Sequence, residues 1–191
     1  SKRHHIQTLL ADPDIQDAWK IRFDRSSNET DVDMIYEHFM PMQIEKVGLY
    51  STPIPGAIDT LRALRNQGIK IGSCSGYPRQ VLNVLLPMAE RHGVKVDYAV
   101  AGDDLPAGGR PGAYMALANM LALKLPDVAR CVKVDDTEPG VLEGRNAGMW
   151  TVGLTLSGAP AGLTLEDYQS SSKTHLQQLR ETVSERHRLA G

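Results

Sequence analysis

The sequence has no apolar run approaching the roughly 20 residues needed to cross a bilayer, and no charged-then-apolar signal segment opens it. Both absences predict a cytoplasmic protein without a membrane partner. Nor is there an excess of one charge. With 21 Lys+Arg against 23 Asp+Glu the net charge is -2, so no basic field exists to hold a polyanion, and nucleic acid is not an expected partner. Cysteine is scarce: Cys74 and Cys131 are the only two. Each lies in an apolar run that reads as a buried strand, where a thiol serves as a small hydrophobe rather than as half of a disulfide.

What remains is globular in character. At 191 residues, 41% hydrophobic and 23% charged, the chain is long enough to bury a core, with room for a small appendage. Its first fifty residues carry helical periodicity only. Ile6, Leu9 and Leu10 recur at helical spacing, and Asp12-Pro13-Asp14 offers a cap and a first-turn proline for a second helix running through Trp19 to Phe23. Val32, Ile35, Phe39, Met42 and Val47 mark one face of a third helix, which Pro41 is expected to kink or break. Lys2 already reads as helix, so the chain is expected to begin inside an element and to have something upstream of it.

From Ser51 the pattern changes. Thr52-Pro53-Ile54-Pro55-Gly56 is turn chemistry, and short apolar strands at 69–74, 98–101, 132–134 and 150–154 then alternate with helices at 57–66, 79–92, 114–123 and 141–147. A polar helix follows at 172–189. This alternation predicts an α/β fold in which a Rossmann-like parallel sheet is covered on both faces, with its site beyond the carboxyl ends of the strands. The expected division is a helical layer at 1–50 and the sheet-bearing core at 51–191.

Three strand ends carry candidate chemistry. The first is Ser73-Cys74-Ser75-Gly76-Tyr77, a hydroxyl beside a glycine just before a helix. Backbone N–H groups and the helix dipole favour an anion there, although Ser75 also reads as a plain helix cap. The second is Gly108-Gly109-Arg110-Pro111, a glycine-rich loop delivering a planar cation suited to a phosphoryl oxygen or a carboxylate. The third is Lys133-Val134-Asp135-Asp136-Thr137. Two adjacent carboxylates at a strand tip repel each other unless a cation or hydrogen-bond donors neutralise them, and magnesium suits such oxygens when the ligand carries phosphate.

In this order the three strand ends resemble motifs of the haloacid dehalogenase superfamily. Together with Glu143-Gly144-Arg145-Asn146-Ala147-Gly148-Met149-Trp150 they look like the phosphonoacetaldehyde hydrolase family in particular. The resemblance implies a haloacid dehalogenase-type core with a small helical cap, both truncated, the core lacking its first strand and its last. It implies phosphate binding by Ser75, Gly76 and Arg110, Mg2+ held by Asp135 and Asp136, and catalytic roles for Lys2, His5 and Tyr77. Lys2 would form a Schiff base with a small phosphonate substrate, and His5 would handle protons. The phosphoryl group would pass to an aspartate that residues 1–191 do not include, leaving this chain inactive alone. A homodimer through the cap is implied as well. The alternatives are a related phosphatase or phosphomutase acting on a P–O ester, and a noncatalytic phosphate- or metal-binding remnant.

Overall fold

The computed structural model describes residues 2–190. Three helices come first: α1 (Lys2–Leu10), α2 (Pro13–Phe23) and α3 (Glu29–Val47). The α2 start follows its sequence, since the Asp12 side chain accepts from the N–H groups of Asp14 and Ile15, with Pro13 in the first turn where no N–H is missed. At α3, Asn28 and Asp31 form a reciprocal capping box. Asp31 does more than cap. Arg25 donates to both of its oxygens at 2.6 and 2.7 Å, and the side chain is only 5% exposed. Arg3 ties α1 to α3 through Asp33 at 2.7 Å and Glu29 at 2.8 Å.

Pro41 does not interrupt α3, which runs unbroken from Glu29 to Val47. The buried residues on this helix are Asp31, Val32, Met40 and Val47, whereas Met42 is exposed. Met40 and Val47 pack with Val81 of the helix α5 (Arg79–Arg91), joined by Tyr36, Phe39, Ile44, Tyr77, Val84 and Leu85. The helical layer is thus fastened to the rest of the molecule by its third helix.

After a 3-10 turn (Gly48–Tyr50) and α4 (Ala57–Asn66) the strands begin. β1 (Gly72–Cys74) pairs in parallel with β2 (Tyr98–Val100), matching Ser73 with Ala99. β3 (Val132–Asp135) pairs in parallel with β4 (Trp150–Gly153), matching Val134 with Val152. Between them lie α5, α6 (Tyr114–Ala122) and α7 (Glu138–Asn146), and beyond β4 come α8 (Leu165–Ser170) and α9 (Lys173–Ala190). The succession is the expected α/β one, with parallel strands throughout. Among the described residues, however, the strands form two separate pairs rather than one sheet.

The core also departs from the expectation of strands buried on both faces. Val81, Ala101 and Met115 are fully enclosed, but Val132 and Val134 are 58% and 51% exposed. Their neighbours Lys133 and Asp135 are the buried residues of β3. Side chains alternate across a strand, and here the face turned toward α7 is the charged one. On the other face Val132, Val134, Trp150 and Val152 lie open. No helix among the described residues is long and apolar enough to cross a membrane.

The Asp31 clamp makes a pH prediction. The Arg25 hydrogen bonds outweigh burial and, with the Asn28 backbone, hold the Asp31 carboxyl down at about 2, against an ordinary 3.8. A carboxyl depressed in the folded state contributes stability that is present above its ordinary value and is lost as pH falls toward the folded one. Asp31→Asn should therefore be less stable than the parent at pH 7. The difference should shrink as pH falls from 3.8 toward 2, measured by denaturant unfolding across that range.

Candidate active site

Glycine lets the loops after β1 and β2 meet. A Cβ on Gly102 would lie 2.9 Å from the Gly76 carbonyl oxygen, so only a bare backbone fits. The Gly102 N–H donates to the Tyr77 carbonyl at 3.0 Å, and Ser75 N–H to Val100 at 3.0 Å. The Ser75 hydroxyl accepts the Tyr77 N–H at 3.1 Å. Ser75 is not the cap of α5, a position taken by Pro78. The first N–H of α5, on Arg79, is met by the Asp103 carboxylate at 2.7 Å, while the Arg79 side chain pairs with Asp104. One of the four unpaired N–H groups that make a helix start attractive to anions is therefore already served by the protein itself.

Arg110 is the residue on which the strand ends converge. Its Nη2 donates to the Cys74 carbonyl at the end of β1 and to Asp135 Oδ2 at the end of β3, both at 2.8 Å. Its Nε donates to Glu143 Oε2 on α7 at 3.2 Å. Lys133 Nζ lies 2.5 Å from Asp135 Oδ2 and 3.4 Å from Glu143 Oε2. Two cations and two anions are thus gathered in a largely dry place, with Glu143 0% and Lys133 8% exposed. Burial pushes the Asp135 carboxyl up, but the Lys133 hydrogen bond and the charges of Arg110 and Lys133 outweigh it, and the net shift is downward. Burial, reinforced by the nearby Glu143 charge, pushes the Cys74 thiol up to about 12, which keeps it protonated and unreactive.

The two adjacent aspartates part company. Asp135 turns into the network, where it also accepts the Thr137 N–H at 3.1 Å and the Thr137 hydroxyl at 2.8 Å. A carboxylate has about four lone-pair sites, and these donors, with Arg110 and Lys133, occupy them. Asp136 points instead toward the loop 157–162, accepting the Ala159 N–H at 3.3 Å. There it offers one carboxylate, and magnesium takes one or two when phosphate oxygens and water complete its shell. The expected pair of ligands thus faces two different surroundings, because successive residues leave an extended backbone in opposite directions. Among the described residues no group of three or more His, Cys, Asp or Glu side chains is gathered to hold a metal.

Of the other expected residues, Ser75 and Gly76 lie next to the Cys74 carbonyl that Arg110 caps. Tyr77 is half-buried and packs against the α3–α5 cluster. Lys2 is half-buried and His5 exposed, both on α1. Neither is joined to the Arg110 network by a hydrogen bond or ion pair among the described residues. Lys133 and Glu143 were not expected to belong to the site. The period of the strand signals the first, since Lys133 and Asp135 share a face; nothing local signals Glu143, which arrives from another element.

Comparison with known proteins places these features in a family. Residues 7–148 match the model for haloacid dehalogenase-like hydrolases. The chain is 51% identical over 180 residues to the phosphonoacetaldehyde hydrolase of Vibrio parahaemolyticus, covering 94% of this chain and 66% of that protein. It is 52% identical over 190 residues to the phosphonoacetaldehyde hydrolase of Salmonella newport, covering 100% and 71%. A crystal structure of a phosphonoacetaldehyde hydrolase-like protein from Oleispira antarctica matches with a TM-score of 0.94 at 38% identity, covering 100% of this chain and 68% of that one. The chain thus spans 66 to 71% of the length of these relatives.

The charge balance around Arg110 makes a stability prediction. Glu143→Leu leaves Arg110 and Lys133 to share one carboxylate and should cost about 3–5 kcal/mol in urea unfolding, the usual penalty for breaking a buried pair. Removing a cation with the anion, in Lys133→Met with Glu143→Leu, should recover part of that loss.

Proposed function

The chain belongs to the haloacid dehalogenase-like hydrolases and, within them, to the phosphonoacetaldehyde hydrolase family, and from that premise we propose that it carries most of the machinery that hydrolyses phosphonoacetaldehyde to acetaldehyde and phosphate. The observation that supports this best is the bridge made by Arg110 between the ends of β1 and β3. It brings Ser75, Gly76 and Asp136 within two residues of groups bound to a single guanidinium, a suitable cradle for a phosphoryl group.

The chemistry explains the need for an amine. Breaking a phosphorus–carbon bond directly would put an electron pair on carbon. Condensation of the neutral Lys2 amine with the aldehyde expels water and forms an iminium, which accepts that pair as an enamine when the phosphoryl group departs. Protonation of the enamine carbon and hydrolysis of the resulting imine then release acetaldehyde and free Lys2, with His5 three positions along α1 as the proposed proton carrier. Arg110 orients the phosphoryl oxygens, and the Ser75 hydroxyl donates to one of them. Magnesium beside Asp136, when bound, would neutralise charge on those oxygens.

The phosphoryl acceptor in this reading is an aspartate on a further strand, supplied by the part of the relatives' length that this chain does not span, and water then cleaves the aspartyl phosphate to give phosphate and the free carboxylate. Two observations support it. The strands form two parallel pairs that share no strand, so one inserted between β1 and β3 would join them into a continuous sheet. Both carboxylates in the Arg110 network are ion-paired with Arg110 and Lys133, which weakens either as a nucleophile.

Borohydride added with phosphonoacetaldehyde to a protein of the relatives' full length should attach a reduced adduct at Lys2, located by peptide mass spectrometry. Lys2→Arg should abolish both adduct and turnover, and residues 1–191 alone should not turn over. An adduct at another lysine, or normal turnover by Lys2→Arg, overturns the assignment. Preference for a phosphate monoester over phosphonoacetaldehyde would point instead to a P–O hydrolase.

A further inference from the structure

Arg79 opens α5 directly after the Ser75-Gly76-Tyr77-Pro78 loop. Its backbone N–H donates to Asp103 Oδ1 at 2.7 Å, and its Nε to Asp104 Oδ1 at 2.9 Å. Its Nη2 reaches the other Asp104 oxygen and also the Ala99 carbonyl, the latter at 2.9 Å. Asp104 Oδ2 takes the Ala101 N–H as well, at 2.7 Å. Hydrogen bonding outweighs partial burial on both sides of the pair, raising the pKa of the Arg79 guanidinium and lowering that of the Asp104 carboxyl. One side chain thus joins the start of α5 to β2 and to the loop that leaves β2.

That loop is the one that delivers Arg110. Between Asp104 and Arg110 it runs Leu105-Pro106-Ala107-Gly108-Gly109, with Gly108 at a φ of 87°. Two successive glycines transmit little stiffness, so the place of Arg110 depends on how the loop is anchored at each end. Arg110 anchors the far end on Cys74, Asp135 and Glu143. Arg79 and Asp104 anchor the near end, beside the backbone bond from Gly102 to Tyr77.

From this we infer that Arg79 is a positioning residue for the anion cradle, and that its clasp with Asp104 holds the Arg110 loop against the Ser75–Gly76 loop so that both meet one phosphoryl group. The inference deepens the proposed function and rests on it in taking Ser75, Gly76 and Arg110 as the phosphoryl site. Groups that must meet one ligand together lose affinity when one of them drifts. A purely electrostatic role would make the opposite demand of Asp104. If Arg79 merely added positive charge, removing the acid would free that charge and tighten anion binding. If the clasp sets the loop, removing either partner weakens binding.

The test measures the affinity for inorganic phosphate, by titration calorimetry, in a protein of the relatives' full length. Arg79→Ala and Asp104→Ala should each raise the phosphate Kd by roughly twofold to fivefold, the range expected of a partly exposed ion pair. The double variant should be no weaker than either single one, because all three lack the same clasp. Arg79→Lys keeps the charge but not the fork that spans two oxygens, and should fall between the parent and Arg79→Ala. Should Arg79→Ala fail to fold, Asp104→Asn keeps the volume and carries the same expectation. Borohydride trapping of acetaldehyde at Lys2 involves no phosphoryl group and should proceed at the parental rate in every variant. Tighter phosphate binding in Asp104→Ala, additive losses in the double variant, or trapping that slows in step with phosphate affinity overturns the inference, as does a parent that binds no phosphate. A parent without an adduct at Lys2 overturns the proposed reaction instead, and the phosphate comparison, which needs no aldehyde, still decides the role of Arg79.

Discussion

The half-buried guanidinium of Arg110, held between two carboxylates and a strand-end carbonyl, is the constraint on which the strand-bearing part of the molecule depends. Alone, such a cation would be untenable, because removing an ion from water costs several kcal/mol even after relaxation. Balanced by Asp135 and Glu143, and joined by Lys133, the cluster is formally neutral. At an effective dielectric of about 20, each close pair contributes on the order of 4 kcal/mol of attraction. That roughly offsets desolvation and leaves little net stability. What the cluster supplies is direction, since a guanidinium satisfied on several sides has one orientation.

The surrounding backbone is shaped to permit this concentration of charge. Beside Lys133, a Cβ on Gly144 would lie 2.6 Å from the Lys133 Cβ and from Thr151 Cγ2, so α7 can approach β3 and β4 closely enough to bring Glu143 onto the lysine. At Gly153, a Cβ would lie 2.7 Å from the His187 ring, and the His187 Nε2 lies 3.2 Å from the Leu154 carbonyl, which seats α9 over the end of β4. Close helix approach and charge burial are therefore one requirement seen from two sides. Substituting bulk at 144 would lift the helix and with it the carboxylate that balances the lysine.

Much of this fold is legible in the sequence because local signals and global packing agree. The Asp12-Pro13 start of α2 and the βα alternation after residue 51 are stated by residues within a few positions of where they act. Pro41 is a weaker guide, since it lies inside a continuous helix. Met42 fits the helical stripe of α3, but Met40 is the one buried, because α5 approaches from a direction that periodicity within a single helix cannot specify. The site divides in the same way. The gathering of Ser75, Arg110 and the acidic strand tip follows from topology, whereas the separation of Asp135 from Asp136 follows from the pleat, which overrides the symmetry suggested by two adjacent acids. Glu143 is silent in sequence because its partners come from elements distant along the chain.

The helical layer that carries Lys2 meets the strand-bearing part in the cluster around Tyr77. Tyr77 closes the loop that follows Ser75 and Gly76, and it packs in the same cluster as Met40 and Val47 of α3 and Val81 of α5. Arg3, next to Lys2, is clamped to α3 by Glu29 and Asp33. A chain of contacts therefore runs from the amine-bearing helix through α3 to the loop beside Arg110, built from ion pairs at one end and apolar packing at the other. The exposed pairs at the α1 end are worth little individually, so the apolar end has to set the geometry. Any displacement of α3 must move Tyr77 or open the cluster, and either change reaches the backbone groups beside Ser75. In the proposed reaction the helix bearing the amine and the loop of the anion cradle therefore share the packing around Tyr77.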